Sequence, residues 1–173
     1  MGEKHPTTIT TLEMTAAPAR AVPPPALPTA IIRAHKPPAH FYRYLYGAVG
    51  EPYVWVERHR LSDEQLAAII EDDEVEIYVV HVDGVPAGFG ELDFRAPDTA
   101  NLVYFGLIPE FIGRGLGPYF LHQLVMMAWS RDIERMTVNT CTLDHPSALP
   151  LYQKMGFEPV SRCEAVIEVP DKP

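Results

Sequence analysis

Thr7 to Met14 reads Thr-Thr-Ile-Thr-Thr-Leu-Glu-Met, an alternating, β-branched run that predicts a strand. A proline-rich stretch at about 18–38 follows. Proline fixes φ and removes an amide donor, so this stretch is expected to be irregular or extended. Phe41, Tyr42, Leu45, Tyr46 and Val49 then fall at helical spacing, with Gly50 as the stop. Ser62-Asp63-Glu64-Gln65 is a capping box that opens a second helix, whose buried face is Leu66, Ile69 and Ile70. Val75–Val82 and Val85–Phe94 are strands joined at Asp83-Gly84, where both turn positions tolerate positive φ. Asn101–Ile108 is a third strand, ended by Pro109, which gives an antiparallel meander behind a helical pair. Past a glycine-containing loop, Leu121, Leu124, Val125, Ala128 and Trp129 form one stripe of a long helix. A strand Arg135–Leu143, a short helix Pro146–Met155 closed by Gly156, and a last strand Cys163–Val169 complete the pattern. Neither a repeat nor a second core-forming unit stands out, so a single domain over 1–173 is expected.

The composition narrows the class. At 173 residues, 47% hydrophobic and 21% charged, the chain suits a globular domain with a real core. Apolar runs fall short of the ~18 residues of a membrane span, and the N-terminus has no secretory h-region. Glu3 and Glu13 also argue against a transit peptide. Cys141 and Cys163 have no C-x-x-C spacing, which fits a reducing compartment, so a cytoplasmic location is expected. A formal net charge of −9 argues against nucleic acid as a partner and weakly favours cationic small molecules. The histidines are scattered without a ligand spacing, so no metal is expected.

Gly113, Gly115 and Gly117 lie between a strand and the long helix. A helix N-terminus offers unpaired amides and partial positive charge, and glycines let a bulky anion approach them. A pyrophosphate is the natural ligand, and a tight turn without a ligand is the competing explanation. The loop lacks Gly-Lys-Ser/Thr, and the Gly-x-Gly-x-x-Gly spacing is absent, which excludes a P-loop and a dinucleotide fingerprint. Pro118 is tolerated at the helix start because its missing donor would be unpaired there.

Two segments carry a resemblance. Leu107-Ile108-Pro109-Glu110-Phe111-Ile112-Gly113-Arg114-Gly115-Leu116-Gly117 resembles motif A of the GNAT superfamily of acyl-CoA N-acyltransferases. His145-Pro146-Ser147-Ala148-Leu149-Pro150-Leu151-Tyr152-Gln153-Lys154-Met155-Gly156-Phe157 resembles its motif B. The resemblance implies a mixed α/β (α+β) fold: a twisted, mostly antiparallel sheet, splayed after the motif A strand and flanked by helices. It implies acetyl-CoA as co-substrate and a primary amine of a small molecule as acceptor. Pantetheine would pair with backbone near Leu107 and Ile108, and the amides of Gly113, Arg114, Gly115, Leu116 and Gly117 would hold the pyrophosphate. The chain departs from the family pattern at Ile112, where motif A usually opens with Gln or Arg, and at His145, where motif B usually has Asn. Asn101 replaces the glutamate base of the histone-acetylating branch, so that branch's mechanism does not carry over.

The expected chemistry is direct attack of a neutral amine on the thioester. Tyr152 matches the motif B tyrosine and is the candidate acid for the leaving thiolate; packing on its own helix is the competing role. Glu91 is the candidate base, directly or through water, and Asp93 shares its strand face. His145 either caps the short helix or touches CoA, and Arg114 reaches a CoA phosphate or lies free. Tyr42, Tyr46 and Trp55 belong to an aromatic group that forms either core or an acceptor wall able to box an ammonium. A non-catalytic acyl-CoA-binding or regulatory protein and a peptide N-acetyltransferase are the alternatives. The acyl group and a homodimer are left open.

Overall fold

The structure, a computed structural model, describes residues 2–170. Met1 and residues 171–173, the ends of the expected domain, lie outside the described residues. The elements are β1 (Glu3–Met14), β2 (Thr29–Ala34), α1 (Ala39–Gly50), α2 (Asp63–Ile70), β3 (Val75–Val82), β4 (Val85–Asp93), β5 (Thr99–Leu107), α3 (Leu116–Trp129), β6 (Arg135–Cys141), α4 (Ala148–Met155) and β7 (Glu158–Val169). All seven strands join one sheet in the order β2-β3-β4-β5-β6-β1-β7. Every pair is antiparallel except β5–β6, which is parallel. This is the mixed, mostly antiparallel architecture expected.

Local chemistry explains two of the helix ends. Ser62 accepts from the Gln65 amide at 3.2 Å while the Gln65 side chain accepts from the Ser62 amide at 2.9 Å, so the capping box is formed. Gly156 closes α4 at φ 115, a conformation that costs other residues more. Several boundaries differ from the pattern: β1 starts at Glu3 rather than Thr7, β5 is Thr99–Leu107 rather than Asn101–Ile108, β6 ends at Cys141 rather than Leu143 and α4 starts at Ala148 rather than Pro146. The proline-rich stretch contains a strand, β2, at the sheet edge, where prolines on either side disturb only one ladder. β7 begins at Glu158 rather than Cys163, because β1 continues the pairing through a register shift between Thr11 and Leu12.

Each face of the sheet carries its own core. One is built by Phe120, Leu121, Leu124 and Val125 of α3 over Leu102 and Met136. The other is built by Tyr42, Leu45, Tyr46 and Val49 of α1 with Leu66 and Ile70 of α2, over Ile77 and Phe89. Two glycines set how closely the helices approach. A Cβ at Gly90 would stand 2.4 Å from Leu124 Cδ1, and one at Gly106 would stand 2.4 Å from Val49 Cγ1. Gly106→Ala is therefore expected to cost about 1–3 kcal/mol by overpacking. A thermal melt checks this, and an unchanged midpoint would mean α1 shifts freely.

β1 lies between β6 and β7, but only Ile9–Met14 pair with β6. Residues Glu3–Pro6 pair with β7 alone, so a two-stranded ribbon extends past the sheet. Its end is tied down where the Arg60 guanidinium donates to the Glu168 carbonyl. Cys141 and Cys163 both stand opposite Ile9, one strand to either side. Two inter-strand spacings, about 9.5 Å, exceed the ~7 Å limit for a disulfide.

Candidate active site

β5 and β6 pair only from Thr99–Arg135 to Leu102–Val138. Val103 is where they part. In the β4–β5 ladder Glu91 stands opposite Tyr104 and Leu92 opposite Leu102, which leaves Val103 as an extra residue. Such a bulge bends its strand, and here it turns β5 away from β6 at the last shared pair. A cleft of about 1340 Å3 opens between the diverging strands.

One end of the cleft is lined by Gly113, Gly115, Gly117 and Ile112. Gly113 has φ 82 and Gly115, which caps α3, has φ 76. A Cβ built at either glycine meets nothing within 4 Å, so the loop borders open space. Among the described residues no carbonyl outside α3 accepts from the amides of Gly113, Arg114 or Gly115. Ile112 is different: its amide donates to the Pro109 carbonyl at 3.2 Å. The donors left over, at the positive end of a helix, fit a pyrophosphate. Leu116 is buried in the core, so only its backbone faces the loop. Arg114 sits over the Phe111 ring, 5.5 Å from its centroid, and is not on the cleft wall.

The strand edge discriminates between Leu107 and Ile108. The Ile108 amide donates to the Ala87 carbonyl at 2.8 Å. Alternate residues of an antiparallel strand bond the same neighbour, so Ile108 faces β4 while Leu107 and Phe105 turn their backbone groups to the split. Leu107 lines the cleft, and Ile108 is buried.

Tyr152 lines the cleft from α4, 5% exposed, with its ring 6.3 Å from Phe105. Burial, reinforced by the Asp144 charge, raises its phenol well above the ordinary value, so it stays protonated. His145 also lines the cleft, and its Nδ1 accepts from the Ser147 amide at 3.1 Å, which serves the turn into α4. The proline-rich segment crosses here too. Ala16–Val22 border the cleft, and Val22 and Leu27 pack on the core of α3 and α4.

The opposite wall is aromatic. Tyr46 and Trp55 border the cleft, joined by Tyr53 and Tyr104. The ring centroids of Tyr46, Trp55 and Tyr104 lie 5.6, 4.9 and 5.0 Å apart. Trp55 packs so tightly on Gly50 that a Cβ there would approach within 2.5 Å. Val54 has φ 62 and ψ 39, a left-handed conformation that is rare for a β-branched residue. That strained turn, after a 3-10 turn at Glu51–Tyr53, presents Tyr53 and Trp55 side by side to the cleft.

Glu91, Tyr42 and Asp93 do not reach the cleft wall. Glu91 is 0% exposed: it accepts from the Tyr42 hydroxyl at 2.5 Å and from Arg58 Nη2 at 2.6 Å. Burial pushes its carboxyl up, while Arg58 and Tyr42 pull it back. Both oxygens are committed to partners, so the geometry gives Glu91 the job of holding Arg58 and Tyr42 behind the aromatic wall. Asp93 is held in turn by Arg95, 2.7 Å from Nη2. Sequence reasoning missed Asp144, Tyr104 and Arg58. Asp144 immediately precedes His145-Pro146 and was legible only as part of a turn.

The sequence model of the acetyltransferase (GNAT) family matches residues 41–157. No curated protein matches the chain significantly. Among solved structures, a putative GNAT acetyltransferase from Novosphingobium aromaticivorans aligns at TM-score 0.60 and 19% identity, over 96% of this chain and 66% of its own. A GCN5-related N-acetyltransferase from Sphaerobacter thermophilus aligns at TM-score 0.65 and 16% identity, over 95% and 53%. An aminoglycoside acetyltransferase from an uncultured soil metagenomic sample aligns at TM-score 0.61 and 12% identity, over 75% and 88%. These identities establish the fold alone. The chain spans 61% and 66% of the first two structures it matches, so those proteins are longer.

Proposed function

Because this chain belongs to the GNAT acetyltransferase family, we propose that it moves the acetyl group of acetyl-CoA onto the primary amine of a small molecule. The observation that carries this reading is the split beyond Leu102–Val138, with a donor-rich glycine loop at one end and a protonated phenol on the wall. Acetyl-CoA supplies the activated acetyl group: the amine nitrogen bonds to the carbonyl carbon, the carbon–sulfur bond breaks, and sulfur leaves as thiolate. The amides of Gly113, Arg114 and Gly115 bind the pyrophosphate. The Leu107 and Phe105 backbone groups orient the pantetheine arm as an added strand. Tyr152 gives its proton to the departing sulfur. The amine reacts in its neutral form, so a bound alkyl ammonium gives up one proton before attack and a second as the amide forms; Glu91, paired through both oxygens and off the cleft wall, is not placed to take either. The cytoplasm, where acetyl-CoA is available, is the compartment this reading places it in.

Calorimetric titration with acetyl-CoA, followed by thiol release against an amine panel, tests the proposal. Binding with turnover supports it; binding without turnover against any amine favours a non-catalytic acyl-CoA-binding protein. Tyr152→Phe is expected to lower kcat by about 10²-fold with acetyl-CoA affinity kept. The pH profile gives a separate check. A raised phenol pKa keeps the acid protonated as pH rises, so kcat should climb with amine deprotonation and show no Tyr152-dependent fall below about pH 10. A falling limb near about pH 8, absent from Tyr152→Phe, would contradict the assignment.

A further inference from the structure

Asp144 stands out on the cleft wall because its charge is not neutralised. Its Oδ1 accepts from Trp55 Nε1 at 3.4 Å, and its Oδ2 accepts from the Thr140 hydroxyl at 2.7 Å and the Cys141 amide at 2.9 Å. All three donors are neutral, and no lysine or arginine pairs with it among the described residues. A carboxylate offers about four acceptor sites, so one is left open. The other carboxylate on the cleft wall, Glu57, is exposed and pairs with Arg60 at 3.3 Å.

Around Asp144 the surface is aromatic. Trp55 bonds to it directly, Tyr104 packs against Trp55 with centroids 4.9 Å apart, and Tyr53 faces His145 at 6.2 Å. Burial raises the Tyr53 phenol, and Asp144 adds to the effect, so the carboxylate's field reaches that ring. Ring faces attract a cation, and a single anion completes the neutralisation. The wall is also preorganised: Gly50 backs Trp55, and the left-handed Val54 sets its direction.

We infer that the acceptor is a monocationic amine with an aromatic or alkyl body, its ammonium nitrogen beside Asp144 and its body against Trp55, Tyr53 and Tyr104. This rests on the acetyl-transfer reading and adds the substrate class to it. A polycation such as an aminoglycoside needs several carboxylates, and its hydroxyls need polar partners; this wall has one uncompensated carboxylate among rings. A basic peptide fits poorly for the same reason.

The experiment compares 2-phenylethylamine, octylamine, kanamycin and a lysine-containing peptide by thiol release, in the wild type and in Asp144→Asn. Asparagine keeps one oxygen to accept from the Thr140 hydroxyl and the Cys141 amide, removes the charge and gives up only the long 3.4 Å bond from Trp55 Nε1. The two lipophilic amines are expected to have kcat/KM at least about tenfold above the other two. Asp144→Asn should raise KM for 2-phenylethylamine by about 10–100-fold, the range of a charge-assisted hydrogen bond. Acetyl-CoA affinity and the melting midpoint should hold. The non-reactive quaternary analogue, phenylethyl-trimethylammonium, should bind the wild type in calorimetry and lose about tenfold in the variant. Faster transfer to kanamycin or peptide, or an unchanged KM in Asp144→Asn, overturns the substrate class and leaves the acetyltransferase reading standing. Acetyl-CoA binding with no transfer to any of the four overturns both.

Discussion

Glu91→Ala is expected to destabilise the protein by about 3–5 kcal/mol, because it strands a buried Arg58 without its anion. Against a typical total of about 5–15 kcal/mol, that is a large share. At about 2–4 °C per kcal/mol for a chain of this size, the melting midpoint should fall by at least about 6 °C. Glu91→Gln keeps an acceptor for the Tyr42 hydroxyl and still loses the charge facing Arg58, so it should be nearly as damaging. Replacing the pair together, Glu91→Leu with Arg58→Met, removes both charges and should recover much of the loss. A Glu91→Gln variant that melts like the wild type yet loses about 10²–10⁴-fold in kcat would give Glu91 the base role after all. Thermal melts and single-turnover rates on the same preparations separate the two outcomes.

Gly115→Glu is expected to lower acetyl-CoA affinity by at least about 10²-fold. Two effects act together. Gly115 has φ 76, where a residue with a Cβ is strained by about 1–2 kcal/mol. Its Cβ direction is open space on the cleft, so the new carboxylate stands where the pyrophosphate belongs and repels it. Gly115→Asn separates the contributions, since asparagine tolerates the left-handed region and carries no charge; its loss should be about tenfold or less. Calorimetry reads both. Wild-type affinity in Gly115→Glu would move the phosphate site off this loop.

Much of this site was legible because its chemistry is local in sequence. A glycine loop that ends a strand and opens a helix presents amides whatever the rest of the chain does, and Gly113 and Gly115 take the positive φ that only glycine adopts cheaply. Tyr152 sits one turn before a glycine stop on a short helix, and both features are close-range. Glu91 was different. Its strand and its face could be inferred from alternation, but its partner Arg58 comes from a short 3-10 turn, Arg58–Arg60, with no periodic signal. The aromatic group near residues 41–55 divided in a way spacing could not foresee: Tyr42 and Tyr46 are both buried in the core, yet only Tyr46, with Trp55, borders the cleft.

The sequence by itself determined every helix and every strand except β2, the capping box at Ser62, the hairpin at Asp83-Gly84 and the loop at Gly113–Gly117, since each depends on backbone preferences within a few residues. Tertiary structure alone decided where β1 goes. Alternation identifies a strand and one buried face, but pairing partners are chosen by contacts far apart in the chain, and here they are β6 and β7. It also decided where the cleft opens. One extra residue, Val103, is invisible in a run of strand-forming side chains and becomes a bulge only when β4 and β6 hold the flanking residues in register. Asp144 acquires its place in the same way: the turn residue before His145 becomes a cleft carboxylate because Trp55, 89 positions away, is folded against it.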